Sequence, residues 1–109
     1  MRERLFIALP VPEGQKTKTI ERADNIKRAL SKRGYYAVSP FDKYFHRATY
    51  EETTGMLLSI VSSCNAVYFT SDWETSTQCR IFHYAITQWN EKRIKEGKET
   101  IKMIYDKYL

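Results

Sequence analysis

A polar segment in the second half of the chain holds the residues best suited to contact a ligand. Asp72 and Glu74 flank Trp73, and Ser76 and Thr77 follow shortly after. Carboxylates hydrogen-bond to sugar hydroxyls, an indole ring stacks on a base, and the first amides of a helix receive phosphate. The segment therefore suits a nucleoside, a nucleotide or a phosphosugar.

These residues lie between a predicted strand and a predicted helix. Residues 65–70 are uncharged and rich in β-branched and aromatic side chains, which is typical of a strand covered on both faces. Beyond the polar segment, apolar residues recur at the helical period: Phe82, Ala85, Ile86 and Trp89. Thr75 and Gln78 have the spacing of a capping box, so the helix is expected to start near Ser76. Its positive dipole end would then face the polar segment.

The whole chain alternates between strand-like and helix-like patterns. Strands are predicted over residues 4–9, 35–39, 65–70 and 100–105, and helices over residues 17–33, 76–95 and a stretch that starts after residue 49. Thr49 and Glu52 form a second capping-box pattern, and Gly34 stands where the first helix should end. The second helix is predicted to bury Met56, Leu57, Ile60 and Val61.

This alternation predicts a single α/β domain over residues 1–109. The expected architecture is a small flavodoxin-like three-layer sandwich, with a parallel sheet of about four strands in the order 2-1-3-4 and helices on both faces. Such sheets bind ligands outside the carboxyl ends of the strands, where the strand order reverses. The candidate ligand-binding residues are those in the loops at that edge: Pro10, Asp42, Asp72, Trp73, Ser76, Thr77 and Gln78.

Several established kinds of site are not indicated. The chain contains no GxGxxG, no P-loop and no GxSxG motif, which argues against the standard dinucleotide, triphosphate and serine-hydrolase sites. His46 and His83 share no metal-ligand spacing with Cys64 and Cys79, so neither a metal nor a cofactor is expected. Both cysteines lie on predicted buried faces and are expected to be reduced.

The charge balance limits the possible partners. The 18 Lys and Arg residues outnumber the 13 Asp and Glu residues, which gives a formal charge of +5. That excess is compatible with an anionic ligand, but the basic residues are spread out and do not interleave with aromatic residues, so nucleic-acid binding is disfavoured. No run approaches the roughly 18 apolar residues of a membrane span, and the apolar stretch near the N-terminus is too short for a signal peptide. The expected location is the cytoplasm.

The central unit resembles a known family. The sequence CNAVYF at residues 64–69, followed by WETSTQCRIFH at residues 73–83, is similar to the patterns C-D-a-[IV]-Y-x-L and W-x-x-S-x-G-[AC]-x-x-E-[HY]. Those patterns are typical of small proteins of unknown function in the nucleoside 2-deoxyribosyltransferase-like superfamily. FIALP at residues 6–10 and VSP at residues 38–40 are similar to that group's first strand and to its loop after the second strand. The resemblance implies a nucleoside-type ligand and a homo-oligomer.

Three positions depart from the family pattern. The glutamate that is the nucleophile in the transferases aligns with Phe82, the motif glycine aligns with Gln78, and the aspartate before the strand aligns with Asn65. A phenylalanine cannot form a glycosyl-enzyme ester, so the family's double displacement should fail here. Phe82 also fits the apolar stripe of the helix, which favours a position in the core or in a pocket wall.

Three functional hypotheses follow. The leading one is a protein that binds a nucleoside, nucleotide or phosphosugar and lacks transferase activity. The first alternative is an N-glycosidase or deoxyribosyltransferase-type enzyme in which Asp72 or Glu74 supplies the carboxylate, and no other catalytic residue is assigned. The second alternative is an oligomeric interaction protein with a vestigial pocket, whose contact surface would include Ile81, Tyr84 and residues 44–45.

Overall fold

The computed structural model of the chain describes residues 2–42 and 48–106, apart from the side chain of Asp42. These residues form four β-strands: β1 (Glu3–Ala8), β2 (Tyr35–Val38), β3 (Ala66–Phe69) and β4 (Lys102–Tyr105). They also form three α-helices: α1 (Lys16–Lys32), α2 (Tyr50–Ser62) and α3 (Thr77–Lys95). Single 3₁₀ turns, Pro40–Asp42 and Trp73–Thr75, follow β2 and β3. Tyr44 and Phe45, predicted to contribute to a subunit contact, lie outside the described residues.

The strands form one parallel sheet in the order β2-β1-β3-β4. The strand order reverses between β1 and β3, because the chain places β2 on one side of β1 and both later strands on the other. Two separate sets of core residues show that α1 packs on one face of the sheet and that α2 and α3 pack on the opposite face. The prediction of a small flavodoxin-like α/β sandwich with strand order 2-1-3-4 is confirmed.

The strand β1 lies at the centre of the core. Leu5, Phe6, Ile7 and Ala8 are all fully buried. Leu5 and Ile7 face α1, whereas Phe6 and Ala8 face α2 and α3. Burial on both faces explains why this strand is a continuous apolar run. The whole of β3 is buried in the same way, as its composition predicted.

Local sequence signals set the end of α1 and the start of α2. The hydroxyl of Thr49 accepts a hydrogen bond from the N–H of Glu52 at 3.0 Å, and the Glu52 carboxylate accepts one from the N–H of Thr49 at 3.3 Å. The predicted capping box is therefore confirmed. Gly34 follows α1 with a φ of 91°, a left-handed conformation that glycine adopts without strain and that commonly ends helices.

The predicted capping box at Thr75 and Gln78 is wrong. Ser76 is the N-cap of α3, and its Oγ accepts a hydrogen bond from the N–H of Cys79 at 3.1 Å. The hydroxyl of Thr75 is already engaged in the preceding turn, where it donates to the carbonyl of Asp72 at 2.8 Å. The cap and its partner are thus each one residue later than the pattern indicated.

The helix α2 buries a narrower face than predicted. Leu57 and Val61 are buried and Ile60 is half-buried, but Met56 exposes 42% of its surface. The buried positions Thr54, Leu57 and Val61 follow the i, i+3, i+7 spacing of a single stripe, and Met56 lies off that stripe. The prediction that Met56 is buried is wrong.

The described residues offer no metal cluster and no membrane span. Cys64 and Cys79 are both buried, as predicted, and both are free thiols. Burial raises the pKa of each, that of Cys79 to about 11, so both stay protonated at neutral pH and are poor ligands or nucleophiles. Residues 2–42 and 48–106 contain no group of three or more side chains that could hold a metal ion. None of their helices has both the length and the apolar character needed to cross a bilayer.

Candidate functional site

An open groove lies at the carboxyl ends of β1 and β3, where the strand order reverses. Its volume is about 690 Å³, within the range of sites for small ligands. The groove is lined by the loop after β1, the start of α2 and the turn into α3, namely Pro10, Val11, Pro12, Tyr50, Thr75, Ser76, Thr77 and Gln78. Four of the residues selected from the sequence are thus brought together here: Pro10, Ser76, Thr77 and Gln78.

The amino end of α3 forms the polar wall of the groove. Ser76 caps the N–H of Cys79, whereas the N–H groups of Thr77 and Gln78, which precede the first intrahelical bonds, meet no acceptor among the described residues. The Arg80 guanidinium donates to the Thr77 hydroxyl at 3.0 Å, which places a positive charge one turn into the helix. Unsatisfied amides, the helix dipole and a nearby cation all favour a negative group at this wall.

The opposite wall of the groove is largely apolar. Pro10 is buried two residues beyond the end of β1, and Val11 after it exposes 43% of its surface. Tyr50, the first residue of α2, exposes 52% of its surface and closes the groove on a third side. An aromatic ring beside apolar side chains offers a contact surface for a flat ring or for the carbon face of a sugar.

Gln78, which aligns with a glycine in the pattern that the sequence resembles, does not fill the groove. Its Nε2 donates to the hydroxyl of Thr54 on α2 at 3.0 Å, and that hydroxyl donates in turn to the carbonyl of Tyr50 at 2.8 Å. The Gln78 side chain is thereby held against α2. It joins two walls of the groove and leaves the space between them open.

Asp72 does not line the groove, because α1 holds its carboxylate. The Arg22 guanidinium donates two hydrogen bonds to it, Nη1 to Oδ2 at 3.0 Å and Nη2 to Oδ1 at 2.9 Å. The Thr70 hydroxyl donates a third to Oδ1 at 2.8 Å. The Arg22 guanidinium is the main reason that the pKa of Asp72 lies below its ordinary value. A carboxylate in this state stays ionised and is a weak base, and both of its oxygens already accept hydrogen bonds within the protein.

Trp73 is also engaged within the protein. Its indole stacks on the imidazole of His83, with ring centroids 4.3 Å apart and planes inclined by 15°. The indole also contacts the Phe69 ring, with centroids 5.3 Å apart. His83 Nε2 lies 2.7 Å from the hydroxyl of Tyr105 on β4. Burial lowers the pKa of His83 below its ordinary value. One face of the indole is therefore covered, and Trp73 is not among the residues that line the groove.

Three further residues from the sequence analysis are not among the described residues that line the groove. Glu74 is exposed on the turn beside Trp73 and is not a lining residue. The side chain of Asp42 lies outside the described residues. Phe82 exposes only 1% of its surface and packs edge-on against Phe6, with ring centroids 5.5 Å apart. The lining of the groove, as far as the chain is described, carries no ionised side chain.

A second polar group, near Arg22, was not anticipated from the sequence. The Tyr68 side chain is buried on β3, and its hydroxyl lies close to the Asp106 carboxylate. Burial, together with the neighbouring Asp106 carboxylate, raises the pKa of Tyr68 well above its ordinary value. Tyr68 is therefore a neutral phenol at all physiological pH values. A tyrosine inside an apolar strand gives no sequence signal that distinguishes it from a core residue.

No family model, no curated protein and no solved structure matches this chain. The resemblance to deoxyribosyltransferase-like proteins therefore stays a prediction from the residues that carry it.

Proposed function

We propose that this chain binds a phosphorylated nucleoside or a phosphosugar in the groove at the carboxyl ends of β1 and β3. One observation carries the proposal: the amino end of α3, where the N–H groups of Thr77 and Gln78 have no acceptor among the described residues, lines the same groove as Pro10, Val11 and Tyr50. An anionic group is stabilised at such amides, and the wall accepts a base or a sugar ring. The sequence resemblance implies the same class of ligand.

The proposed role is binding without transfer. Phe82 stands at the position of the family's nucleophile and is buried in the core, and no carboxylate is among the described lining residues. Transfer through a glycosyl-enzyme needs a carboxylate at the anomeric carbon. The hydrolase alternative has less support, because Arg22 holds Asp72 and because Glu74 lies outside the lining of the groove.

An interaction protein is a further candidate, and a surface feature of α3 favours it. Ile81 and Tyr84 lie one turn apart and expose 36% and 69% of their surfaces. Neighbouring exposed apolar side chains of this kind are found at subunit contacts. Sedimentation over a wide concentration range tests this candidate, and a strict monomer at high concentration would count against it.

Ligand binding is tested by thermal unfolding with nucleosides, nucleoside mono- and diphosphates, ADP-ribose and ribose phosphates. A ligand at a hundred times its Kd stabilises the folded state by about 2.7 kcal/mol, which raises Tm by roughly 10 °C in a domain of this size. We expect a shift from phosphorylated ligands and a much smaller one from unphosphorylated nucleosides. No shift with any of them would refute the proposal. Chromatography of the same mixtures then distinguishes binding from release of a base.

The variant Thr77→Asp locates the site. A carboxylate in the first turn of α3 is favourable for the helix, so the protein should fold, but it should repel an anionic ligand and abolish the shift in Tm. Thr100→Asp is the matched control, because Thr100 is exposed at the amino edge of the sheet, far from the groove. An equal loss of binding in both variants would mean that the ligand responds to net charge and not to this groove.

A further inference from the structure

The outer edge of β2 has no strand beside it among the described residues, since β2 pairs only with β1. Half of the main-chain N–H and C=O groups of an edge strand point away from the sheet, where they can pair with a further strand. The exposed ladder is short, because β2 contains only Tyr35–Val38. A partner would therefore contribute a short extended segment.

A groove of about 420 Å³ follows this edge, and its charge is one-sided. The cationic side chains of Arg2, Arg4 and Lys27 line it together with Tyr35 and Tyr36. No Asp or Glu is among its described lining residues. Clustered charge of one sign attracts partners of the opposite sign and repels a second copy of itself.

The cations flank the strand edge from both faces of the sheet. Arg4 is in register with Tyr36, and the alternation of side chains along β1 places both on the face that carries α2 and α3. Lys27 belongs to α1, which packs on the opposite face. The Glu3 carboxylate is close in sequence but lines a separate pocket beside Asn65, toward β3 and β4.

We propose that the edge of β2 binds an extended acidic peptide segment of another protein, which adds to the sheet as a fifth strand. Main-chain groups of β2 supply the pairing, and Arg2 and Arg4 supply the selectivity for acidic side chains. Tyr36, which exposes 58% of its surface, packs against the alternate side chains of the peptide. A second copy of this chain is disfavoured, since the same cations would meet across the contact. A nucleic acid would leave the strand edge unpaired. This site is separate from the groove of the proposed function.

The probe is a short, fluorescently labelled peptide of alternating Glu and Val, titrated with the full chain and followed by anisotropy. We expect saturable binding that weakens with salt. The double variant Arg2→Glu, Arg4→Glu should weaken binding at least about tenfold, because two attractive charge contacts become repulsive. Both side chains are exposed, so the variant should unfold at nearly the same temperature as the wild type.

Two controls separate strand addition from charge attraction. The variant Lys92→Glu, Lys95→Glu changes the net charge equally on the exposed end of α3, and it should leave binding unchanged. The same peptide with every main-chain amide N-methylated keeps every charge but offers no N–H group to a strand edge, so it should not bind.

Four results would overturn the proposal. The first is no binding of the peptide, and the second is an equal loss of binding in both double variants. The third is full binding of the N-methylated peptide. The fourth is binding of oligouridylate through Arg2 and Arg4 in the absence of peptide binding. The last result would assign the surface to single-stranded nucleic acid. None of these results depends on the phosphate ligand of the other groove.

Discussion

Arg22 on α1 and Asp72 after β3 form a bidentate ion pair, although 50 residues separate them in the chain. The pair ties the turn that precedes α3 to the helix on the opposite face of the sheet. Both side chains are partly exposed, at 37% and 43%, so water screens much of their attraction. The main effect of the ion pair is to fix the position of the turn that leads into the groove.

A double-mutant cycle with Arg22→Met and Asp72→Asn measures this pair. We expect a coupling free energy of about 0.5–1 kcal/mol in urea unfolding at neutral pH, because the geometry is bidentate but the pair is partly hydrated. A coupling energy indistinguishable from zero would show that the pair adds nothing net to the stability of the fold.

The same pair predicts a pH dependence. The folded-state pKa of Asp72 is lowered by the Arg22 guanidinium, so its stabilising effect is fully present above the unfolded-state value of about 4 and is lost as the pH falls through the folded-state value. Wild type and Asp72→Asn should therefore differ in free energy of unfolding at pH 7 and converge in strong acid. A constant difference across this range would contradict the prediction.

The corrected N-cap of α3 is tested by two alanine substitutions. Ser76→Ala removes the acceptor for the Cys79 N–H and should cost about 1 kcal/mol of stability. Thr75→Ala removes a hydroxyl that only donates to the carbonyl of Asp72, and it should cost distinctly less. Chemical denaturation of both variants checks the order. A larger loss in Thr75→Ala would restore the capping box that the sequence pattern indicated.

Phe82→Glu introduces the glutamate of the deoxyribosyltransferase pattern that the sequence resembles, but it should not introduce the chemistry of those enzymes. The side chain would enter a fully buried site against Phe6, where an unpaired carboxylate costs several kcal/mol. We expect a loss of stability of about 4 kcal/mol or more, and no base release from any nucleoside. Phe82→Leu is the control, since it keeps an apolar side chain and should cost far less. A stable Phe82→Glu protein that releases a base would show that this position reaches the ligand.

The stacked pair of Trp73 and His83 predicts a second pH effect. Burial lowers the folded-state pKa of His83, so the neutral form stabilises the fold above the unfolded-state value of about 6.5, and this contribution is lost as the pH falls through the lower folded-state value. NMR titration of the imidazole should give a pKa below 6.5. Thermal unfolding of His83→Gln should depend less on pH over this interval than that of the wild type. A His83 pKa above 6.5 would mean that the indole stabilises the cation more than burial opposes it.

The sequence predicted the architecture well because the relevant signals are local. The apolar run of β1, the buried run of β3 and the Thr49–Glu52 box each act within a few residues, and the alternation of elements then limits the sheet to few topologies.

The contacts of the candidate site were harder to predict. Asp72 and Trp73 were selected as ligand contacts from their side-chain types, but their partners in the fold are Arg22 and His83. Those pairings depend on which faces of α1 and α3 meet the loop after β3. The periodic spacing of apolar residues in the sequence does not predict either of these contacts. Pro10 reaches the groove because it lies in the loop at the carboxyl end of the central strand, and the strand order places that loop there.

The central position of β1 creates a risk of aggregation during synthesis of the chain. Residues 5–9 are five consecutive apolar side chains with no charge or proline among them, a composition that favours cross-β association when exposed. They precede in synthesis every strand and helix that will cover them, and β3 completes their pairing only much later in the chain. A nascent or partly unfolded chain therefore exposes an aggregation-prone segment that is buried in the native protein. Chaperone binding and aggregation should both begin at this strand.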